Sequence, residues 1–150
     1  MTTDSDLIKL YSQRILALAA EIPHRGRLDG PQVSVRKRAP LCGSTVTVDL
    51  DMKDGRISRF AQDVKACALG QAAAALMGRH VVGRSRSEIV AARDALKAML
   101  STGGEAPAAP FTGYEVLEPA REYRNRHASI LLSLEATADA MAEAERSACA

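Results

Sequence analysis

The spacing of apolar residues changes period several times along the chain, and each change predicts an element. Leu7, Leu10, Ile15 and Leu18 recur at helical spacing, predicting an amphipathic helix over 4–20 capped by Asp4, Ser5 or Asp6. Pro23 and Gly26 end it, and the turn formers Asp29-Gly30-Pro31 lead into a short strand around Val33–Arg38. From Thr45 to Met52 the pattern alternates strictly, with Val46, Val48, Leu50 and Met52 on one face, the mark of a half-buried strand. Asp54-Gly55 is a hairpin turn signal. The return strand, Arg56–Val64, breaks phase because Ile57, Phe60 and Val64 do not share one period of two, so a bulge is expected there.

The second half reads as helical. Residues 67–78 form an alanine-rich segment able to pack closely on a sheet. Ser85 or Ser87 caps a helix over 86–100, with Ile89, Ala92, Leu96, Met99 and Leu100 as its core stripe. A Gly/Pro/Ala-rich linker, Ser101–Pro110, is followed by an irregular or short helical stretch, 111–123. The last helix spans about 126–146, with Ile130, Leu131, Leu134, Ala138 and Met141 on one face, and the tail 147–150 frays. The order α-β-β-β-α-α-α predicts one α+β domain over 1–146: a three-stranded, mostly antiparallel sheet with helices packed on one face.

Composition narrows the classes. A chain of 150 residues that is 47% hydrophobic and 25% charged has the size and balance of one soluble domain. Aromatics make up only 3%, so Ala, Leu, Ile, Val and Met must build the core. No run approaches the roughly 20 apolar residues of a membrane span, and the acidic start Asp4-Ser5-Asp6 is unlike a secretory signal. The expected location is cytoplasmic, where three cysteines stay reduced. Net charge is only +2, with basic residues clustered at Arg36-Lys37-Arg38, Arg84 with Arg86, and Arg121, Arg124 and Arg126. That is too weak a bias, with too few aromatics, for nucleic acid; the clusters suit an acidic protein partner or a solvated face.

Three chemical motifs fail on inspection. Asp49-Leu50-Asp51-Met52-Lys53-Asp54-Gly55 puts Gly55 one place late for a calcium loop, and Phe60 stands where the bidentate Glu belongs. Ser44, Ser129 and His127 lack the elbow and the carboxylate of a hydrolase. No glycine-rich phosphate loop is present. Two cysteines fare better, and both are expected to be half-buried at element junctions. Cys42 follows a proline-bearing loop and precedes Gly43, while Cys67 opens the alanine-rich helix, where unpaired N–H groups favour the thiolate form that binds metals. His127 opens the last helix.

The run Ala39-Pro40-Leu41-Cys42-Gly43-Ser44, the hairpin at Asp54-Gly55, Cys67 at a small-residue helix and Gly83-Arg84-Ser85 resemble the iron–sulfur cluster scaffold family of IscU and the N-terminal domain of NifU. His127-Ala128-Ser129-Ile130-Leu131 is similar to that family's His-Cys-Ser-Ile-Leu segment, and the long stretch between Cys67 and His127 resembles the SufU branch. The resemblance implies a scaffold or cluster and sulfur carrier rather than an enzyme, with a cysteine desulfurase and cluster-accepting proteins as partners. Family members hold a [2Fe–2S] cluster or zinc with three cysteines and an aspartate. Here Ser44 replaces the aspartate and Ala128 the third cysteine. Cys42, Cys67 and His127 are then the expected ligands for iron, a labile [2Fe–2S] cluster or zinc. Cys149 and Asp63 are the weaker candidates for a further ligand. The alternative is a family member without cluster chemistry that acts as a binding or regulatory module. A zinc enzyme on the same three residues is a distant third, for want of a general base.

Overall fold

The computed structural model describes residues 11–148. Helix α1, Gln13–Ala20, begins where Ser12 accepts a hydrogen bond from the Ile15 amide. The expected single helix over 4–20 is therefore interrupted: Ser12 is an N-cap, and its extended backbone belongs to no helix. The expected caps at Asp4, Ser5 and Asp6 lie outside the described residues.

Three strands follow, β1 (Val33–Arg38), β2 (Thr45–Lys53) and β3 (Arg56–Lys65), in one antiparallel sheet of order β1-β2-β3. The register sets opposite each other Val35, Val48 and Gln62, and likewise Lys37, Val46 and Val64, on the face that packs on helices. At the far end of β3, Asp51 opposes Arg59 whereas Met52 opposes Ile57, leaving Ser58 as the extra residue. That bulge returns Ile57 to the buried face and resolves the broken alternation. Asp54 and Gly55 both have positive φ, 53° and 77°, as a two-residue hairpin turn requires.

Helix α2, Ala68–Gly78, is buried on nearly every side, with Ala72 through Ala75 at 0% exposure. Small side chains let it sit between the sheet, α1 and the last helix. Helix α3, Arg86–Thr102, carries a full capping box: Ser85 accepts from the Glu88 amide while the Glu88 carboxylate accepts from the Ser85 amide. Gly103, in the left-handed region, ends it. The expected irregular or short helical stretch is a 3₁₀ helix over Phe111–Glu122. Helix α4, Arg124–Ala148, packs on β1, β2, α2 and α3. It runs two residues past the expected end at 146, and the rest of the predicted tail lies outside the described residues. Among the described residues no helix is long and apolar enough to cross a membrane.

Candidate functional site

One corner of the fold gathers the sulfur chemistry. The β1–β2 loop closes on itself, Ala39 N donating to Ser44 O and Gly43 N to Ala39 O. Gly43, at φ 72°, takes the left-handed turn that would strain any other residue. This closure sets Cys42 at the loop tip, exposed rather than half-buried, and turns Ser44 inward to 6% exposure. Cys67 is the N-cap of α2 and half-buried, as expected. The first turns of α4 bring Ser129, 2% exposed, between them.

A chain of polar contacts results. The Cys42 thiol donates to Ser44 Oγ at 3.2 Å, Ser44 Oγ lies 3.1 Å from Ser129 Oγ, and Ser129 Oγ lies 3.5 Å from Cys67 Sγ. Hydrogen bonding with Ser44 holds the Cys42 thiol below its ordinary pKa; partial burial opposes this, and Ser129 reinforces it. Cys42 is thus a solvent-reached thiol predisposed to lose its proton, the form that binds soft metals and attacks sulfur.

Gly70 makes the contact possible. A Cβ there would stand inside van der Waals contact of Ser129 Oγ and 2.8 Å from Ala66 Cβ, so only glycine lets α4 lay Ser129 against α2. The sequence pattern covers Gly70 only within the alanine-rich segment 67–78, and Ser129 only as a rejected nucleophile and within the His127–Leu131 run. The position of Ser129, two residues past His127, was the one available signal.

His127 goes elsewhere. Its Nε2 is 3.0 Å from Ala120 O and 2.9 Å from Arg121 O, and since carbonyls only accept, Nε2 carries the proton. The ring ties α4 to the end of the 3₁₀ helix. Among the described residues no three His, Cys, Asp or Glu side chains stand together as a metal site. The expected trio is therefore reduced to the Cys42–Cys67 pair in this geometry. Asp63 sits on β3 opposite Thr47, and Cys149 lies outside the described residues. Several of the clustered cations are occupied within the chain: Lys37 pairs with Asp139, Arg84 with Glu88 and Arg86 with Glu145.

A sequence model of the NifU-like N terminal domain matches residues 10–129. The chain belongs to that family. Two curated relatives agree. It is 31% identical over 80 residues to the iron-sulfur cluster assembly scaffold protein IscU of Thermotoga maritima, covering 53% of this chain and 56% of that protein. It is 28% identical over 104 residues to the protein of the same name from Streptococcus pyogenes serotype M1, covering 69% and 64%. The match thus spans less than two thirds of either relative. Among solved structures, a nitrogen-fixing NifU-like protein (N-terminal) from Brucella abortus superposes with a TM-score of 0.91 at 43% identity, covering 94% of this chain and 98% of that one. A SUF-system scaffold protein from Fervidobacterium islandicum shares the fold, with a TM-score of 0.77 at 18% identity over 89% of this chain and 98% of that one. Both curated relatives of this NifU-like chain are named as scaffold proteins of iron-sulfur cluster assembly.

Proposed function

We propose that this NifU-like domain carries iron, or a labile [2Fe–2S] cluster, as cargo on the Cys42–Cys67 face and passes it to acceptor proteins, with zinc as the competing metal. One observation carries the reading: two thiols from separate junctions meet across two buried hydroxyls, one at the tip of an exposed loop. An exposed thiol suits cargo that must leave as well as arrive. A cysteine desulfurase and cluster acceptors are the partners this role calls for, and the cytoplasm, which keeps thiols reduced, is its expected compartment.

The test is the iron, zinc and acid-labile sulfide content of protein purified anaerobically, beside Cys42→Ser and Cys67→Ser. Iron with matching sulfide in the wild type, lost in both variants, supports the proposal. Zinc alone narrows the role to a metal site. Neither metal, even after reconstitution, leaves the second reading, a scaffold fold kept as a binding module. Ala128 and the engagement of His127 by the Ala120 and Arg121 carbonyls favour that second reading.

A further inference from the structure

The thiol corner lies at the start of α2, and a small cavity lies at that helix's other end. It measures about 190 Å³ and is bordered by three elements: Arg14 of α1, Arg79 and His80 just past α2, and Phe111 and Thr112 at the start of the 3₁₀ helix. Its floor is apolar, since Leu76 and Phe111 are buried, and its rim is basic. Among the described residues no Asp or Glu lines it. The His80 ring stands edge-on to Phe111, centroids 6.3 Å apart, a contact that steadies an otherwise exposed imidazole.

Neither arginine takes part in the ion pairs formed among the described residues; Glu115 borders the adjoining depression beside Arg14 yet does not pair with it. Arg79 is the C-cap of α2, where a cation suits the negative end of the helix. Arg14 has no such reason. It is the second residue of α1, at the positive end, and neither α1 nor the 3₁₀ helix carries an acidic residue in its first turn. A bound anion answers both the paired cations and the two uncompensated helix starts. We propose that this cavity binds a small phosphate-bearing anion. Two guanidinium forks, the Thr112 hydroxyl and an imidazole present more donors than the two oxygens of a carboxylate use, and they suit the three or four oxygens of a phosphate. A cavity of this size takes a phosphate group with at most a short substituent, whereas pockets for drug-sized ligands run roughly 300–1,000 Å³. Inorganic phosphate and a small phosphate monoester share this chemistry. The ligand bridges α1, the end of α2 and the 3₁₀ helix, and so stabilises the fold by mass action.

The experiment is an NMR titration of the isotope-labelled full chain with inorganic phosphate and, separately, with glycerol 3-phosphate. The buffer is free of phosphate, and sodium chloride holds the ionic strength constant. Saturable binding is expected, with the largest amide shifts at Arg79, His80 and Thr112. Arg14→Gln and Arg79→Gln, checked for folding by circular dichroism, should each weaken binding by about tenfold or more. Arg93→Gln, at a residue that pairs with Asp94 and does not line the cavity, should bind as the wild type does. Tighter binding of the monoester assigns the site to a small phosphorylated molecule, and tighter binding of inorganic phosphate assigns it to the free ion; either supports the proposal. Shifts that never saturate, or that sodium chloride alone reproduces, overturn it as mere screening. Saturable shifts centred on other residues overturn it too. So does binding that survives undiminished in both arginine variants. Iron and sulfide content at the thiol corner has no part in the readout, so this result and the cargo reading stand or fall separately.

Discussion

Two polar clusters lie on this small sheet, and they are built on opposite plans. On the face away from the helices, the Asp49 carboxylate is fully buried and fully engaged: Arg27 Nε at 2.7 Å, Ser34 Oγ at 2.6 Å and the Leu28 amide at 3.0 Å. At the hairpin corner, Cys42 is exposed and has one near neighbour, and Cys67 meets a hydroxyl only at 3.5 Å. A saturated group fixes structure, because every lone pair it would offer a ligand is taken. An under-bonded pair of thiols held by buried hydroxyls keeps its lone pairs available. Burial of polar atoms alone does not mark a site; spare coordination does.

The contrast breaks most visibly at Asp49. Burial alone would raise its pKa, but the hydrogen bonds from Arg27, Ser34 and the Leu28 amide outweigh burial and hold it below the usual carboxylate range. A carboxylate with a depressed folded pKa contributes stability above its unfolded pKa and loses it as pH falls through the folded value. Asp49→Asn should therefore lower stability at neutral pH by about 2 kcal/mol, a figure kept modest because the Arg27 side chain remains 56% exposed. The gap should narrow below about pH 4, where the wild type loses what the variant never had. Urea denaturation across pH measures it, and a gap unchanged on acidification would refute the assignment. Metal content should not change.

A second test acts on the thiol corner through packing. Gly70→Ala places a methyl group against Ser129 Oγ and Ala66 Cβ, so α4 must shift away from α2. Overpacking of this kind costs about 1–3 kcal/mol. Ser129→Ala removes the clashing oxygen, and in the double variant part of the loss should return as a coupling energy of about 0.5 kcal/mol or more. Purely additive losses would mean that Gly70 serves the helix and not the serine.

Strand limits, the hairpin turn and the bulge were legible because alternation and turn chemistry are local. The Asp54-Gly55 turn and the phase break at Ile57 are consequences of a few adjacent residues. The corner was half legible. Cys42 and Cys67 stand out by type and by their element junctions, and two serine hydroxyls link them. Ser129 did not stand out, since its role depends on Gly70, far away in sequence, admitting it. The placing of His127 was hidden for the same reason: an imidazole at a helix start shows its chemistry in the sequence, but not that the carbonyls of Ala120 and Arg121, supplied by the preceding 3₁₀ helix, engage its Nε2. The helix start at Ser12 was missed because apolar spacing continues through it, and spacing is blind to a hydroxyl that caps.

The finest distinction lies within the corner, between its two serines. Both favour the Cys42 thiolate, Ser44 more through its direct hydrogen bond and Ser129, which hydrogen-bonds with Ser44, by less. Ser44→Ala should raise the pH midpoint of Cys42 alkylation toward that of an ordinary thiol, slowing iodoacetamide labelling several-fold at a pH below that midpoint. Ser129→Ala should move it the same way by less. The reading is made on Cys42 by peptide mass spectrometry, with Cys67 as the internal comparison. A larger shift from Ser129→Ala than from Ser44→Ala would mean that α4, and not the hairpin's own loop, tunes the exposed thiol. The corner would then work as one unit spanning β1–β2, α2 and α4, and Gly70→Ala should depress Cys42 reactivity as strongly as loss of the serine itself.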